Sequence, residues 1–416
     1  MKTKVKQLSY EKVLALKPEK LHKPVRPGIF WRFLMRVLGK GELAQTNFTP
    51  NFIGMEKLGA KEPCLILMNH SCFTDLLIAE TVFAKRPMNI VCTSDGFVGK
   101  EWLMRHLGCI PTNKFVTDFV LVRNMKYALE KLHTSILMYP EASYSFDGTA
   151  TPLPSTLGKC LKLLNVPVVM VRTYGAYARD PLYNNLQKRK VNISADIKYL
   201  LSPDDIQNKT VDELNEVLRT EFTFDNWQWQ LENNVKITEP FRADYLNRVL
   251  YKCRECGCEG KMKGQGINLT CQSCGAKWTL CEDGQLERED KGDLSSVPQW
   301  FAWEREQVRQ EITAGTYLID TPVEIYMMVN TKAIYHVGQG TLKHSVKGFV
   351  LDGCDGKLHY EQDPNASYSL YSDYFWYELG DMICIGDMKT LYYCFPKQAG
   401  DIVAKARIAT EELYKL

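Results

Sequence analysis

The sequence predicts an α/β layer domain with a mainly parallel sheet, then a small four-cysteine ribbon, then a β-rich C-terminal domain. Three patterns carry this expectation. Short apolar runs alternate with helical stretches from Pro63 to Leu200, two Cys-x-x-Cys pairs lie between Cys253 and Cys274, and short aromatic runs separated by glycine turns fill the chain after Ser295. At 416 residues the chain exceeds what one hydrophobic core organises. Its 45% hydrophobic and 24% charged residues are those of a globular protein.

Residues 1–28 read as basic and irregular, since Pro18, Pro24 and Pro27 block a long helix. Over the first forty residues Lys2, Lys4, Lys6, Lys12, Lys17, Lys20, Lys23, Arg26, Arg32, Arg36 and Lys40 stand against only Glu11 and Glu19, and such an arm is drawn to anionic surfaces, the inner membrane leaflet included. Ile29–Leu38 (IFWRFLMRVL) reads as a helix with Arg32 and Arg36 on one face. It either docks on its own domain or lies in a membrane interface, and the pattern leaves both open. No apolar run reaches the roughly 18 residues of a spanning helix, and no secretory signal is evident.

The α/β region predicts strands at Cys64–Met68, Asn89–Thr93, Cys109–Pro111, Ile136–Tyr139, Val166–Val171 and Val191–Leu200. Between them fall helices at Asp75–Phe83, Lys100–Leu107, Asp118–Leu132 and Leu157–Leu164. Sites in such folds gather at the carboxyl ends of strands. Pro203 at the first position of a helix beginning near Ser202, and a helix over Val211–Phe222, close the region. After Ser295 come a helix at Gln299–Ile312, strands at Val323–Val329, Ala333–Val337, Gly348–Leu351, Ser367–Leu370, Met382–Ile385 and Leu391–Phe395, and a closing helix at Asp401–Leu413. In element order this part is similar to a pleckstrin-homology-like barrel. The expected boundaries are 1–48 for a basic, amphipathic arm, 49–246 for the α/β domain, 247–290 for the ribbon and 295–416 for the β-rich domain.

Of 14 cysteines, several sit singly in apolar runs, as reduced buried thiols do, and the rest cluster, which suits a reducing cytoplasm. Cys253 and Cys256 form one pair and Cys271 and Cys274 another, separated by fourteen residues, with Gly257 and Gly275 after each second cysteine. Four thiolates favour tetrahedral zinc and leave no position for water, so the expected zinc is structural. The ribbon is too small to fold on its own core, which accounts for a metal without invoking nucleic acid.

The segment after the first α/β strand reads Asn69-His70-Ser71-Cys72-Phe73-Thr74-Asp75. A helix beginning near Thr74 can turn the Asp75 carboxylate back to the His70 ring, fixing its tautomer and preparing the other nitrogen to take a proton. This NHxxxxD block resembles that of the 1-acylglycerol-3-phosphate acyltransferase family of phospholipid biosynthesis. Three further blocks follow in the family's order: Gly108-Cys109-Ile110-Pro111-Thr112-Asn113-Lys114, Tyr139-Pro140-Glu141-Ala142-Ser143-Tyr144-Ser145, and Val166-Pro167-Val168-Val169-Met170-Val171. The resemblance covers roughly residues 50–205.

The resemblance implies a glycerolipid-acyltransferase-like fold for residues 49–246. It also implies O-acyl transfer from acyl-CoA or acyl-ACP to a lysophospholipid-type hydroxyl, with 1-acylglycerol-3-phosphate or a similar lipid as acceptor. His70 is then the general base and Asp75 its orienting partner, with no acyl-enzyme. Lys114, Glu141, Ser143 and Tyr144 then line the acceptor site. Two positions depart from the pattern: Ala142 stands for a glycine and Tyr144 for a phosphate-contacting arginine. Phosphate affinity then rests on Lys114 with Lys159 or Arg172, or the acceptor is not lysophosphatidate. The implied partners are a lysophospholipid, an acyl donor (acyl carrier protein among them) and a membrane surface touched peripherally from the cytoplasmic side. An inactive lipid-binding scaffold and a zinc-ribbon nucleic-acid binder are the competing readings; the absence of a concentrated basic, aromatic surface argues against nucleic acid.

Overall fold

The computed structural model describes residues 3–18, 22–116, 118–288, 290–398, 400 and 402–416, so Lys2, Glu19, Lys20 and Asp401 lie outside the described residues. Seven strands form the first sheet, in the order Thr49–Ile53, Ser194–Leu201, Val168–Tyr174, Leu65–Met68, Ser135–Met138, Met88–Thr93, Cys109–Thr112. Leu65–Met68 and Ser135–Met138 are buried throughout, which is why unbroken apolar runs mark them. Their side chains alternate between two cores. Ile66 and Met68 pack with Leu77, Ile78 and Phe83 on one face, and Leu65 and Leu67 pack with Met125, Leu129, Leu161 and Leu218 on the other. Each such aliphatic side chain contributes about 1.5–3 kcal/mol by leaving water.

The sheet is mainly parallel, as expected, with one reversal: Val168–Tyr174 and Ser194–Leu201 run antiparallel. The connection between them holds only the short turns Ala176–Arg179 and Leu182–Asn184. That is too little helix to carry the chain across the sheet for a parallel return. The consequence for function lies on the other edge. Leu65–Met68, Ser135–Met138, Met88–Thr93 and Cys109–Thr112 are adjacent and parallel, so their carboxyl ends deliver His70, Glu141, Asp95 and Lys114 to one rim.

Helix Ile29–Ala44 lies on this domain. Arg32 and Arg36 both donate to the carbonyl of Ala84 at 2.7 Å, which turns the basic face inward. Ile29, Phe30, Phe33, Val37 and Leu38 consequently face outward, Ile29 being 85% and Phe30 64% exposed. Among the described residues no helix is long and apolar enough to cross a membrane.

The ribbon is a five-stranded antiparallel sheet in sequence order, Met262–Gln265, Asn268–Cys271, Lys277–Leu280, Gln285–Arg288 and Leu294–Ser296. Trp278 meets Trp300 of helix Val297–Thr313 edge-on at 4.8 Å. Leu269 and Leu286 share one core with Val308, Ile325 and Tyr177, so the ribbon leans on both neighbouring regions.

The C-terminal region is antiparallel: Leu318–Met328, Ile334–Ser345, Gly348–Gly353 and Leu358–Gln362 run consecutively, and Leu391–Pro396, Gly380–Gly386 and Tyr371–Trp376 continue from the other side of Leu318–Met328. Val5–Gln7 adds to this sheet as a parallel strand against Ile334–His336, where the sequence suggested only an irregular arm. Helix Ile402–Leu413 is buried from Val403 onward, packed against Val297–Thr313 and strands Tyr371–Trp376 and Gly380–Gly386. Its buried charges are paired: Glu411 with Arg305 and Arg407, Glu412 with Arg309, Lys405 with Glu259 and Glu311.

Candidate active site

The strand Leu65–Met68 stops where Asn69 turns its side chain onto the neighbouring strand, its Oδ1 accepting the Thr173 N–H at 2.8 Å. Helix Thr74–Val82 starts five residues later. Asp75, in its first turn and fully buried, folds one oxygen back over the connecting loop. That Oδ2 accepts the N–H groups of Ser71 (2.6 Å) and Cys72 (3.0 Å) and meets His70 Nδ1 at 3.1 Å. A carboxylate can only accept, so Nδ1 carries the proton and Nε2 keeps its lone pair. Burial holds the imidazole below its ordinary pKa, Asp75 pulls against this, and the nearby Lys114 adds to the depression. The ring is therefore neutral at pH 7, and its side chain remains 20% exposed.

Two tyrosines grip the ring. Tyr139 stacks on it with centroids 4.0 Å apart, and Tyr144 leans on it at 4.4 Å. Cys72 is fully buried and its thiol is pushed well above the ordinary value by burial and by Asp180 and Asp75, so it is no nucleophile.

Glu141 does not stand open at the rim as a group waiting for glycerol hydroxyls. Its Oε2 accepts the His70 N–H and its Oε1 the Thr151 N–H, both at 2.8 Å, and burial raises it to about 7. With the Ser145 N–H donating to the His70 carbonyl at 2.7 Å, the segment after strand Ser135–Met138 clamps the histidine backbone from both sides. Ala142 sits between at φ +57°, the left-handed region that favours glycine. Ser143 is buried, and its Oγ accepts from Arg407 at 3.3 Å rather than facing an open site. Lys114 is half-buried with its Nζ 4.2 Å from the centroid of the Tyr371 ring. The two other cations considered from the sequence lie elsewhere: Lys159 is exposed on helix Leu157–Leu164, and Arg172 pairs with Glu221.

Sequence reasoning missed Tyr139 as a ring partner, although an aromatic directly before Pro140-Glu141 at a strand end was a visible signal. It also missed Asp95, Tyr371, Asp373 and Arg407. Tyr371 Oη donates to the buried Asp95 Oδ2 at 2.5 Å across 276 residues of chain, a separation that no local pattern encodes.

The four cysteines of the ribbon converge. The sulfurs of Cys253, Cys256, Cys271 and Cys274 lie within 4.8 Å of one another, with Cys253 to Cys274 and Cys256 to Cys271 both at 3.8 Å. A tetrahedron with metal–sulfur bonds of about 2.3 Å has edges of about 3.8 Å, so the donor set fits a zinc-sized ion. Gly257 and Gly275 take φ of +71° and +78°, closing each knuckle with an N–H bonded to the first cysteine's carbonyl. Cys258 and Cys281 stand outside the cluster.

A histidine at a strand's end, clamped by a carboxylate on one nitrogen and open at the other, sits in a domain whose residues 49–173 match the acyltransferase family model. The chain thus carries an acyltransferase domain with a four-cysteine cluster and an antiparallel β-rich region appended. Among solved structures it is similar to the 1-acyl-sn-glycerophosphate (LPA) acyltransferase PlsC from Thermotoga maritima, at 17% identity over 47% of this chain and 81% of that one, with a TM-score of 0.34. No curated protein matches the chain.

Proposed function

We propose that this protein transfers an acyl chain from an acyl thioester, acyl-CoA or acyl-ACP, to a hydroxyl of a lysoglycerolipid-type acceptor. The observation that carries this is the His70–Asp75 contact of 3.1 Å inside the matched acyltransferase domain. In the proposed reaction, Nε2 of His70 removes the acceptor's hydroxyl proton as the oxygen attacks the thioester carbonyl. The C–O bond forms, the C–S bond breaks, and the departing sulfur takes the proton back from His70. Asp75 stabilises the transient imidazolium, and Glu141 positions the loop that carries the ring. No step needs Cys72.

The cysteine cluster would hold a structural zinc, since all four donors are sulfur and no open position remains for chemistry. The exposed face of helix Ile29–Ala44 supports a peripheral site at the cytoplasmic membrane face, with Phe30 and Phe33 entering the lipid boundary.

The test is transfer of a labelled acyl group from acyl-CoA and from acyl-ACP to a panel of lysolipids, with His70→Ala alongside. Loss of about 10²–10⁴ in rate is the expected result for the variant. Equal transfer by both proteins would end the catalytic reading, and transfer by neither would favour a lipid-binding scaffold.

A further inference from the structure

The rim that holds His70 is completed by the C-terminal domain. Strand Tyr371–Trp376 lies against it: Tyr371 and Tyr393 both donate to Asp95 Oδ2, at 2.5 and 3.4 Å, and Trp376 Nε1 donates to the Tyr371 oxygen at 2.9 Å. Lys114 rests on the face of Tyr371. Two residues along the same strand stands Asp373, half-buried, with one oxygen accepting the Tyr374 N–H at 2.9 Å. Burial lifts Asp373 to about 6, and Lys114 is the cation that pulls it back. Its charge reaches Tyr144, whose ring leans on His70.

The charges near the ring are therefore lopsided. Asp75, Asp95 and Asp373 are carboxyl groups on this rim or just beneath it; Glu141 and Asp180 are also near, but burial raises both to about 7, and Arg179 stands 3.7 Å from Asp180 and pairs with Glu42. Against them stands Lys114, whose Nζ already rests on the face of Tyr371. Arg407 is buried behind Ser143 and bonded to Glu411. Tyr144 offers a hydroxyl and no charge. A phosphate monoester brings close to two negative charges, and each added carboxylate at short range raises the cost of admitting it.

We infer that the acceptor's head group lacks a phosphate monoester, and that Asp373, contributed by the C-terminal domain, is the residue that turns such head groups away. This rests on the acyl-transfer reading only in taking the rim around His70 as the place where the acceptor lies. It goes past that reading in naming the class of head group, neutral polyol rather than dianion, and the domain that selects it.

The experiment is equilibrium binding of a short-chain 1-acylglycerol and of its 3-phosphate, each below its micelle concentration, to the full chain, to Asp373→Asn and to Asp373→Glu. Asparagine keeps an acceptor for the Tyr374 N–H while losing the charge; glutamate keeps the charge. The wild-type chain is expected to bind the phosphate-free compound at least as tightly as the phosphate-bearing one. Asp373→Asn should shift the ratio of dissociation constants toward the phosphate-bearing compound by about tenfold, which is about 1.4 kcal/mol. Asp373→Glu should leave it unchanged. A wild-type preference for the phosphate of more than tenfold, a ratio unmoved by Asp373→Asn, or binding of neither compound would overturn the inference. The expected ratios in a chain that transfers no acyl group would remove the proposed reaction and leave the head-group selection standing.

Discussion

Replacing Asp75 by asparagine changes one atom and removes the negative charge behind His70. The amide oxygen can still accept from Ser71 and Cys72, so the loop keeps its shape. That same oxygen meets His70 Nδ1, so the ring keeps its proton on Nδ1 and its lone pair on Nε2, and only the charge behind the ring changes. The carboxylate's attraction for the imidazolium is lost. At 3.1 Å and an effective dielectric constant of about 20, that attraction is worth about 5 kcal/mol. Converted at about 1.36 kcal/mol per tenfold, it sets an upper bound near four orders of magnitude in rate. The 20% exposure of the His70 side chain admits water and reduces this, so a fall of about 10²–10⁴ is expected, the range of general-base catalysis. The assay is the initial rate of labelled acyl transfer at saturating thioester, with circular dichroism to verify the fold. A correctly folded Asp75→Asn within tenfold of wild type would refute the reasoning, because the contact would then be structural alone.

Four further outcomes follow from other parts of the molecule. Ala142→Gly relieves a left-handed alanine and should stabilise the chain by about 0.5–1 kcal/mol, read as a higher denaturant midpoint. Phe30→Glu with Phe33→Glu should weaken binding to anionic vesicles by about tenfold or more at unchanged thermal stability, since each exposed ring otherwise buries apolar surface in lipid. Cys256→Ser should lower bound zinc from about one ion per chain, measured by elemental analysis, and lower the melting temperature. The buried His344 is pushed down to about 3, whereas an unfolded histidine titrates near 6.5. The unfolded chain therefore binds the extra proton between those values, so this stability is complete above pH 6.5 and is lost as pH falls toward 3. At pH 5 the loss is about 2 kcal/mol, and His344→Gln should flatten that part of the stability–pH curve.

What could be read from the sequence was what short-range chemistry writes down. The unbroken LILM of residues 65–68 announces a strand buried on both faces, Pro203 after Ser202 announces a helix start, and paired cysteines announce a metal knuckle. The Asp75 turn onto His70 belongs to this group, because five residues suffice to build it. Strand Leu358–Gln362 escaped notice because, at the sheet's edge, only Leu358 of its five residues is buried. Strand Tyr371–Trp376 carries Ser372 and Asp373 inside its aromatic run, so the expectation settled on 367–370 instead. The rim residues from that strand were invisible for a different reason. Asp95 and Tyr371, or Lys114 and Tyr371, meet only when distant parts of the chain pack, and nothing in either local segment specifies the other.

The loop that clamps His70 depends on chain made much later. Phe146 packs on Phe301 and Tyr374, and Ser143 meets Arg407, 264 residues downstream. At a translation rate of about 5–20 residues per second, that loop waits about 13–50 seconds for its last support. Over that interval the nascent protein holds an apolar ring without its cover, and a chaperone shielding residues 140–150 would have its task set by the order in which the ribosome delivers the two halves of one contact.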